Sequence, residues 1–219
     1  MINLMQGDCL ELMKDIPDGS VDMVLTDPPY GTTACKWDSV IPFEPMWEQV
    51  NRVTKERGAV VLFGSEPFSS FLRCSNIKDY KYDWIWDKQR ASGSMLAKKR
   101  PLKYHEIASV FYRRQSKYNP QMTTGKMMKK ASGGKSDNYG AAIPIVRYEN
   151  DQYYPRSIQV FKGCHNMTGK VHPTQKPVAL MEYLIKTYTN EGETVLDFTM
   201  GSGTTGVAAK NLNRSFIGI

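Results

Sequence analysis

The chain has 219 residues, a formal net charge of +7, and 41% hydrophobic, 11% aromatic and 23% charged residues, the balance of a folded globular chain and not of a disordered one. No apolar run approaches the ~20 residues that span a bilayer, and Met1 leads into Gln6-Gly7-Asp8 instead of a signal sequence, so a cytoplasmic protein without membrane contact is expected. Cys9, Cys35, Cys74 and Cys164 stand singly, and His105, His165 and His172 share no metal-binding spacing, which leaves a disulfide framework, a zinc ribbon and a catalytic metal site without residues.

Along the chain, Cys9 to Asp15 sets Leu10, Leu12 and Met13 among charges as a short helix does, and Pro17-Asp18-Gly19-Ser20 is turn chemistry. Residues 21–26, Val-Asp-Met-Val-Leu-Thr, read as a buried strand that stops at Asp27 because two prolines cannot continue a ladder. Met46 to Arg57 puts Met46, Trp47, Val50 and Val53 on one helical face and ends at Gly58, before a second apolar strand from Ala59 to Phe63. Strand, helix, strand with fully apolar strands predicts an α/β fold whose parallel sheet is covered on both faces. Trp84 to Trp86 and Ile107 to Phe111 read as two further strands, suited to an antiparallel edge.

From Arg113 to about Met167 the periodicity dissolves, which marks an insertion. A helix with Val178, Met181, Leu184, Ile185 and Tyr188 on one face follows Pro177. Thr194 to Phe198 is then a strand, Gly201 to Gly206 a glycine-rich turn into a helix ending near Leu212, and Ser215 to Ile219 a last strand.

Charge is localised. Residues 88–135 carry thirteen Lys or Arg against a single acid, Glu106, so the rest of the chain is mildly acidic. With Tyr104, Tyr112 and Tyr118 inside the segment and Trp84 and Trp86 before it, the pattern points to nucleic acid rather than to a solvated surface alone, with Lys98, Lys99, Arg100, Arg113, Arg114, Lys129 and Lys130 as candidate contacts.

Two motifs carry chemistry. Val195-Leu196-Asp197-Phe198 into Gly201-x-Gly203-x-x-Gly206 sets a glycine turn between strand and helix, where a ligand can approach the backbone beside a positive helix N-terminus; alone it also fits a dinucleotide site or an unliganded turn. Asp27-Pro28-Pro29-Tyr30-Gly31 puts a carboxylate at a strand's C-terminal end, a Pro28 carbonyl without a ladder partner and a flat ring within four residues; alone it also fits a plain turn.

Together with Gln6-Gly7-Asp8-Cys9 before them and His172-Pro173-Thr174-Gln175-Lys176-Pro177 between them, these motifs stand in the order found in the permuted, beta-class DNA amino-methyltransferases, which the chain resembles over nearly its full length. The resemblance implies a doubly wound, mostly parallel, Rossmann-like methyltransferase sheet, a single domain over 1–219 and an inserted target-recognition region at about 115–168. It implies Asp27, Pro28, Pro29 and Tyr30 as the catalytic set and S-adenosylmethionine as cofactor, bound near Asp8, Cys9, Thr174, Lys176, Asp197, Phe198, Gly201, Gly203, Thr204 and Thr205. Asp8 would accept from the cofactor's adenine amine, while Thr174 and Lys176 would lie by its methionine carboxylate. Asp, not Ser, at the first motif position leans toward adenine over cytosine. Duplex DNA is the implied partner, with a homodimer and a cognate restriction endonuclease as further expectations. The same likeness puts a ribose-binding acid directly after Ile219, so a chain stopping there is expected to bind cofactor weakly or to use another group, and to leave its last strand less covered.

Overall fold

In the computed structural model, which describes residues 1–33, 35, 38–135, 142–163 and 175–219, two units are distinguished: Met1–Asn119 with Ser157–Ile219, and Pro120–Arg156. The larger unit begins with β1 (Ile2–Leu4), α1 (Cys9–Leu12), β2 (Val21–Thr26), α2 (Phe43–Val53), β3 (Thr54–Gly64), α3 (Phe68–Ser75), β4 (Tyr80–Ser92) and β5 (Lys103–Phe111). The smaller contains β6 (Thr123–Lys135) and β7 (Ala142–Tyr153), after which the larger resumes with β8 (Ile158–Val160), α4 (Val178–Tyr188), β9 (Thr194–Asp197), α5 (Thr204–Asn211) and β10 (Ser215–Gly218).

Eight strands form one sheet in the order β1-β10-β9-β2-β3-β5-β4-β8. The first five are parallel, β5 is antiparallel to both β3 and β4, and β8 runs parallel to β4. Period-two alternation sorts the apolar side chains. Met23, Leu25, Ala59, Val61, Phe63 and Val195 face a core closed by α4 and α5, whereas Val24, Val60, Leu62 and Leu196 face one closed by α1, α2 and α3. Both faces are therefore buried, as continuous apolar strands require.

Thr54 to Arg57, expected at the end of a helix, belong instead to β3. Lys55, Glu56 and Arg57 are exposed and offer no apolar helical face, while Thr54 pairs with Val21 and the Lys55 ammonium lies 2.7 Å from Asp22. The segment expected to be aperiodic holds a long antiparallel hairpin, from Thr123↔Tyr153 to Lys135↔Ala142. Most of its described side chains are exposed, so neither face imposes the apolar alternation by which a strand is recognised in sequence. Among the described residues no helix is long and apolar enough to cross a membrane.

The topology fixes where a ligand can sit. From β2 the chain crosses through α2 to β3 on one side, and from β9 through α5 to β10 on the other. The crevice beyond the C-terminal ends of β2 and β9 is therefore the switch point at which open α/β sheets bind ligands.

Candidate active site

Met23 pairs with Val195 and Val24 with Leu196, so Asp27 and Asp197, 170 positions apart in sequence, leave neighbouring strands at the same end of the sheet. Between them opens a cavity of about 590 Å³, within the ordinary size of a small-molecule site. Asp27, Pro28, Pro29 and Tyr30 line one side; Phe198, Gly201, Ser202, Thr204 and Thr205 line the other, with Gly7, Cys9 and Ile219 at the margin.

On the Asp27 side the loop is held by a residue that the motif does not include. Asp38 accepts four backbone N–H bonds, from Tyr30 (2.8 Å) and Gly31 (2.9 Å) on Oδ1 and from Thr32 (2.9 Å) and Thr33 (2.7 Å) on Oδ2. Burial opposes its charge, but the Thr33 hydroxyl and the backbone N–H groups of Gly31, Thr33 and Thr32 outweigh burial and hold the carboxyl below its ordinary range. Gly31 takes a left-handed φ of +67°, where a Cβ would also meet Val40 at 2.9 Å. The Tyr30 ring stacks on Phe68 at 5.1 Å, and its hydroxyl donates to Asp27 Oδ1. Burial first, then the charge of Asp27, raises the Tyr30 hydroxyl well above its usual pKa, so it remains a donor.

Lys176, implied beside the cofactor's methionine carboxylate, is buried against the Asp27 side of the cavity. Its side chain is 7% exposed, its ammonium donates to Asp27 Oδ2 and lies 3.2 Å from Glu106 Oε2, and it stands 5.2 Å from the centre of the Phe63 ring. Although burial disfavours the cation, Asp27 and Glu106 more than compensate and raise its pKa, so it is charged. Lys88 completes the row, 3.3 Å from Glu106 Oε1.

On the other side Asp197 is buried and anchors the glycine loop. Oδ1 accepts from the hydroxyl of Thr26 (2.5 Å) and the N–H of Thr199 (3.2 Å), while Oδ2 accepts from the hydroxyl of Thr205 (2.5 Å). Burial nevertheless pushes its pKa up to about 6. Gly201 and Gly203 both have positive φ, and a Cβ on Gly201 would come no closer to another group than 4.0 Å, so the backbone faces open space. No side chain caps α5, whose positive end stays available to a ligand. A cavity with an open glycine loop, a free helix N-terminus and mixed apolar and polar walls fits S-adenosylmethionine.

Other expected residues fall differently. Asp8 caps α1 by accepting from the N–H of Leu10 (2.8 Å) and Glu11 (3.4 Å), while its neighbours Gly7 and Cys9 reach the cavity wall. Thr174 lies outside the described residues, as does the side chain of Lys130. Lys98, Lys99 and Arg100 are exposed between β4 and β5, at the sheet end that carries Asp27. Arg113 and Arg114, expected alongside them, are at the opposite end: Arg113 donates to the Thr54 carbonyl and Arg114 pairs with Glu56 at 2.8 Å. They follow β5, whose antiparallel course carries the chain back to the start of β3. Lys129 pairs with Glu149 across the hairpin, at 3.6 Å. Thr26, Asp38 and Glu106 were missed. Only Glu106 gave a signal, as the one acid in the basic segment.

A family model described as a DNA methylase, N6_N4_Mtase, matches residues 21–219. The chain belongs to this family. It is a DNA methyltransferase of the N6/N4 amino class, dependent on S-adenosylmethionine and built on the Rossmann-like methyltransferase fold. Among curated relatives, the type II methyltransferase M.HpaI of Haemophilus parainfluenzae is 29% identical over 231 residues, covering 99% of this chain and 69% of the relative. M1.MboII of Moraxella bovis is 27% identical over 236 residues, covering 97% and 89%. Among solved structures, the M1.HpyAVI complex with S-adenosylmethionine superposes over all of this chain and 93% of that one, with a TM-score of 0.67 and 27% identity. The cytosine-N4-specific PvuII methyltransferase shares the fold at a TM-score of 0.68 and 18% identity, covering 99% and 80%.

Proposed function

We propose that this methyltransferase acts on the N6 amine of adenine in duplex DNA, with Asp27, Pro28, Pro29 and Tyr30 forming the acceptor side of the site and Phe198, Gly201, Gly203, Thr204 and Thr205 the cofactor side. The observation that carries this reading is the shared cavity between Asp27 and the glycine loop on adjacent strands. When bound, S-adenosylmethionine supplies a methyl group on a positively charged sulfur, already a strong electrophile. The remaining task falls to the protein, because the amine's lone pair is delocalised into the base. Asp27 and the Pro28 carbonyl accept hydrogen bonds from the two amine hydrogens and turn the lone pair toward the methyl carbon. Methyl transfer from the bound cofactor would leave a positive charge on the amine nitrogen, which the Asp27 carboxylate would stabilise until the nitrogen gives a proton to water. Positioning and electrostatic stabilisation of that cation are the main contributions.

The target base must leave the helix, which costs a few kcal/mol, and stacking against Tyr30 returns roughly 1–3 kcal/mol of it. Lys98, Lys99 and Arg100 are suited to hold phosphates at the same end of the sheet. Target recognition belongs, in this reading, to the region around 115–168, which includes Lys129 and Lys130. A cognate restriction endonuclease belongs to the same proposal, supported by the type II names of the relatives, and a homodimer is proposed with it from the family resemblance alone.

Adenine is favoured by Asp at the first motif position. The test is incubation of unmethylated plasmid DNA with S-adenosylmethionine, digestion to nucleosides and mass spectrometry. N6-methyladenine is expected, absent with Asp27→Ala even though that variant still binds cofactor; N4-methylcytosine would overturn the base assignment.

A further inference from the structure

We infer that Glu106 is a positioning residue for methyl transfer: it holds the Lys176 ammonium so that Asp27 is released to the acceptor amine. The inference rests on the acceptor role proposed for Asp27. Lys176 pairs with and neutralises Asp27, the carboxylate that must take up the positive charge growing on the amine. A neutral Asp27–Lys176 pair attracts a developing cation little, and a lone buried lysine beside it would oppose one.

Glu106 removes that difficulty. It lies on β5 opposite Trp86 and shares the strand face of Ala108 and Val110, and so points to the side of the sheet covered by α4, which Lys176 immediately precedes. Its Oε2 is buried and only 3.2 Å from the Lys176 ammonium, yet makes no aligned hydrogen bond among the described residues. That oxygen is an acceptor available for Lys176 to turn to. The Phe63 ring face, 5.2 Å from the ammonium, keeps the cation favourable wherever it shares its donors. Lys88 binds the other Glu106 oxygen and anchors the carboxylate from the outer side. With Lys176 turned toward Glu106, the row Asp27, Lys176, Glu106 and Lys88 still sums to zero charge, but its negative end, Asp27, is the one directed at the reacting nitrogen.

The test compares Glu106→Gln, which keeps shape but loses charge, with Glu106→Asp, which keeps charge but loses reach. Transfer of tritiated methyl to unmethylated plasmid DNA is measured, with rates expressed per cofactor-binding site from calorimetry so that unfolded protein is not counted. Glu106→Gln should lower kcat by at least about tenfold while the KM for S-adenosylmethionine changes by less than about threefold, and Glu106→Asp should retain more activity than Glu106→Gln. Because Glu106 acts through Lys176, Glu106→Gln introduced into Lys176→Gln should change kcat by less than about twofold. An equal loss in both backgrounds, or a kcat within about twofold of wild type for Glu106→Gln alone, overturns the inference. An inactive wild type, or an active Asp27→Ala, would instead overturn the proposed role of Asp27.

Discussion

Replacing Asp38 should disable methyl transfer by releasing the loop that carries Tyr30. Its carboxylate takes four backbone N–H groups at 2.7–2.9 Å and thereby fixes residues 30–33, including the backbone of Tyr30. A hydrogen bond contributes a net ~0.5–1.5 kcal/mol, and water can replace part of the set in this half-buried loop, so Asp38→Ala should cost about 2–4 kcal/mol. For a chain of this size that corresponds to a fall of roughly 5–15 °C in Tm. The functional loss should be larger in proportion, because a displacement of about 1 Å at a reacting group can cost ~10²-fold in rate. Asp38→Asn should be nearly as harmful, since its amide turns an N–H₂ toward two of the four donors. Initial rates of tritium transfer to plasmid DNA, measured well below Tm, give kcat/KM. A value within about threefold of wild type for either variant would refute the reasoning, because it would mean that the loop holds Tyr30 without its acceptor.

Two further outcomes follow from the site. Combined Lys98→Ala, Lys99→Ala and Arg100→Ala should weaken binding to all DNA sequences and reduce the salt slope of log Kd by roughly 2–3, whereas Arg113→Ala with Arg114→Ala should leave the slope unchanged; fluorescence anisotropy over a salt series distinguishes them. Asp197, with a pKa of about 6 against an ordinary 3.8, favours the folded chain when protonated, a contribution of up to roughly 3 kcal/mol that is fully present below pH 3.8 and gone above about 6. Asp197→Asn should therefore gain stability relative to wild type as pH rises from 4 to 6, and a difference in denaturant stability that is flat over that window would contradict it.

How far the chain was legible depended on whether a residue's task is local. Strand β2 and the helix face of Met46, Trp47, Val50 and Val53 show their periods because one chain segment meets one buried surface. The paired motifs show themselves too, since strained glycines and consecutive prolines are restricted by their own backbone. The burial of Lys176 and its pairing with Asp27 could not be read locally, because its partners Asp27 and Glu106 come from β2 and β5, and no local pattern records burial supplied by distant strands. The position of Arg113 and Arg114 was illegible for a related reason. Sequence groups them with Lys98, Lys99 and Arg100, but β5 lies between and carries the two groups to opposite ends of the sheet.

The same long-range character makes the two halves of the cavity a single mechanical unit. Thr26, the last residue of β2, donates to Asp197 at 2.5 Å and lies 2.6 Å from the Thr199 hydroxyl, which in turn donates to the Asp27 carbonyl at 3.2 Å. Thr205 then ties Asp197 to the first turn of α5. The Thr26 and Thr199 hydroxyls each bridge the two halves, so the peptide that carries Asp27 and the loop that faces the cofactor cannot shift independently without leaving a buried oxygen unpaired, at about 1–3 kcal/mol. In-line displacement requires that coupling, because the acceptor nitrogen and the methyl carbon must meet within a few tenths of an ångström although their supports are 170 residues apart in sequence. Strand adjacency at the switch point sets the approximate distance, and three threonines and a buried aspartate set the rest.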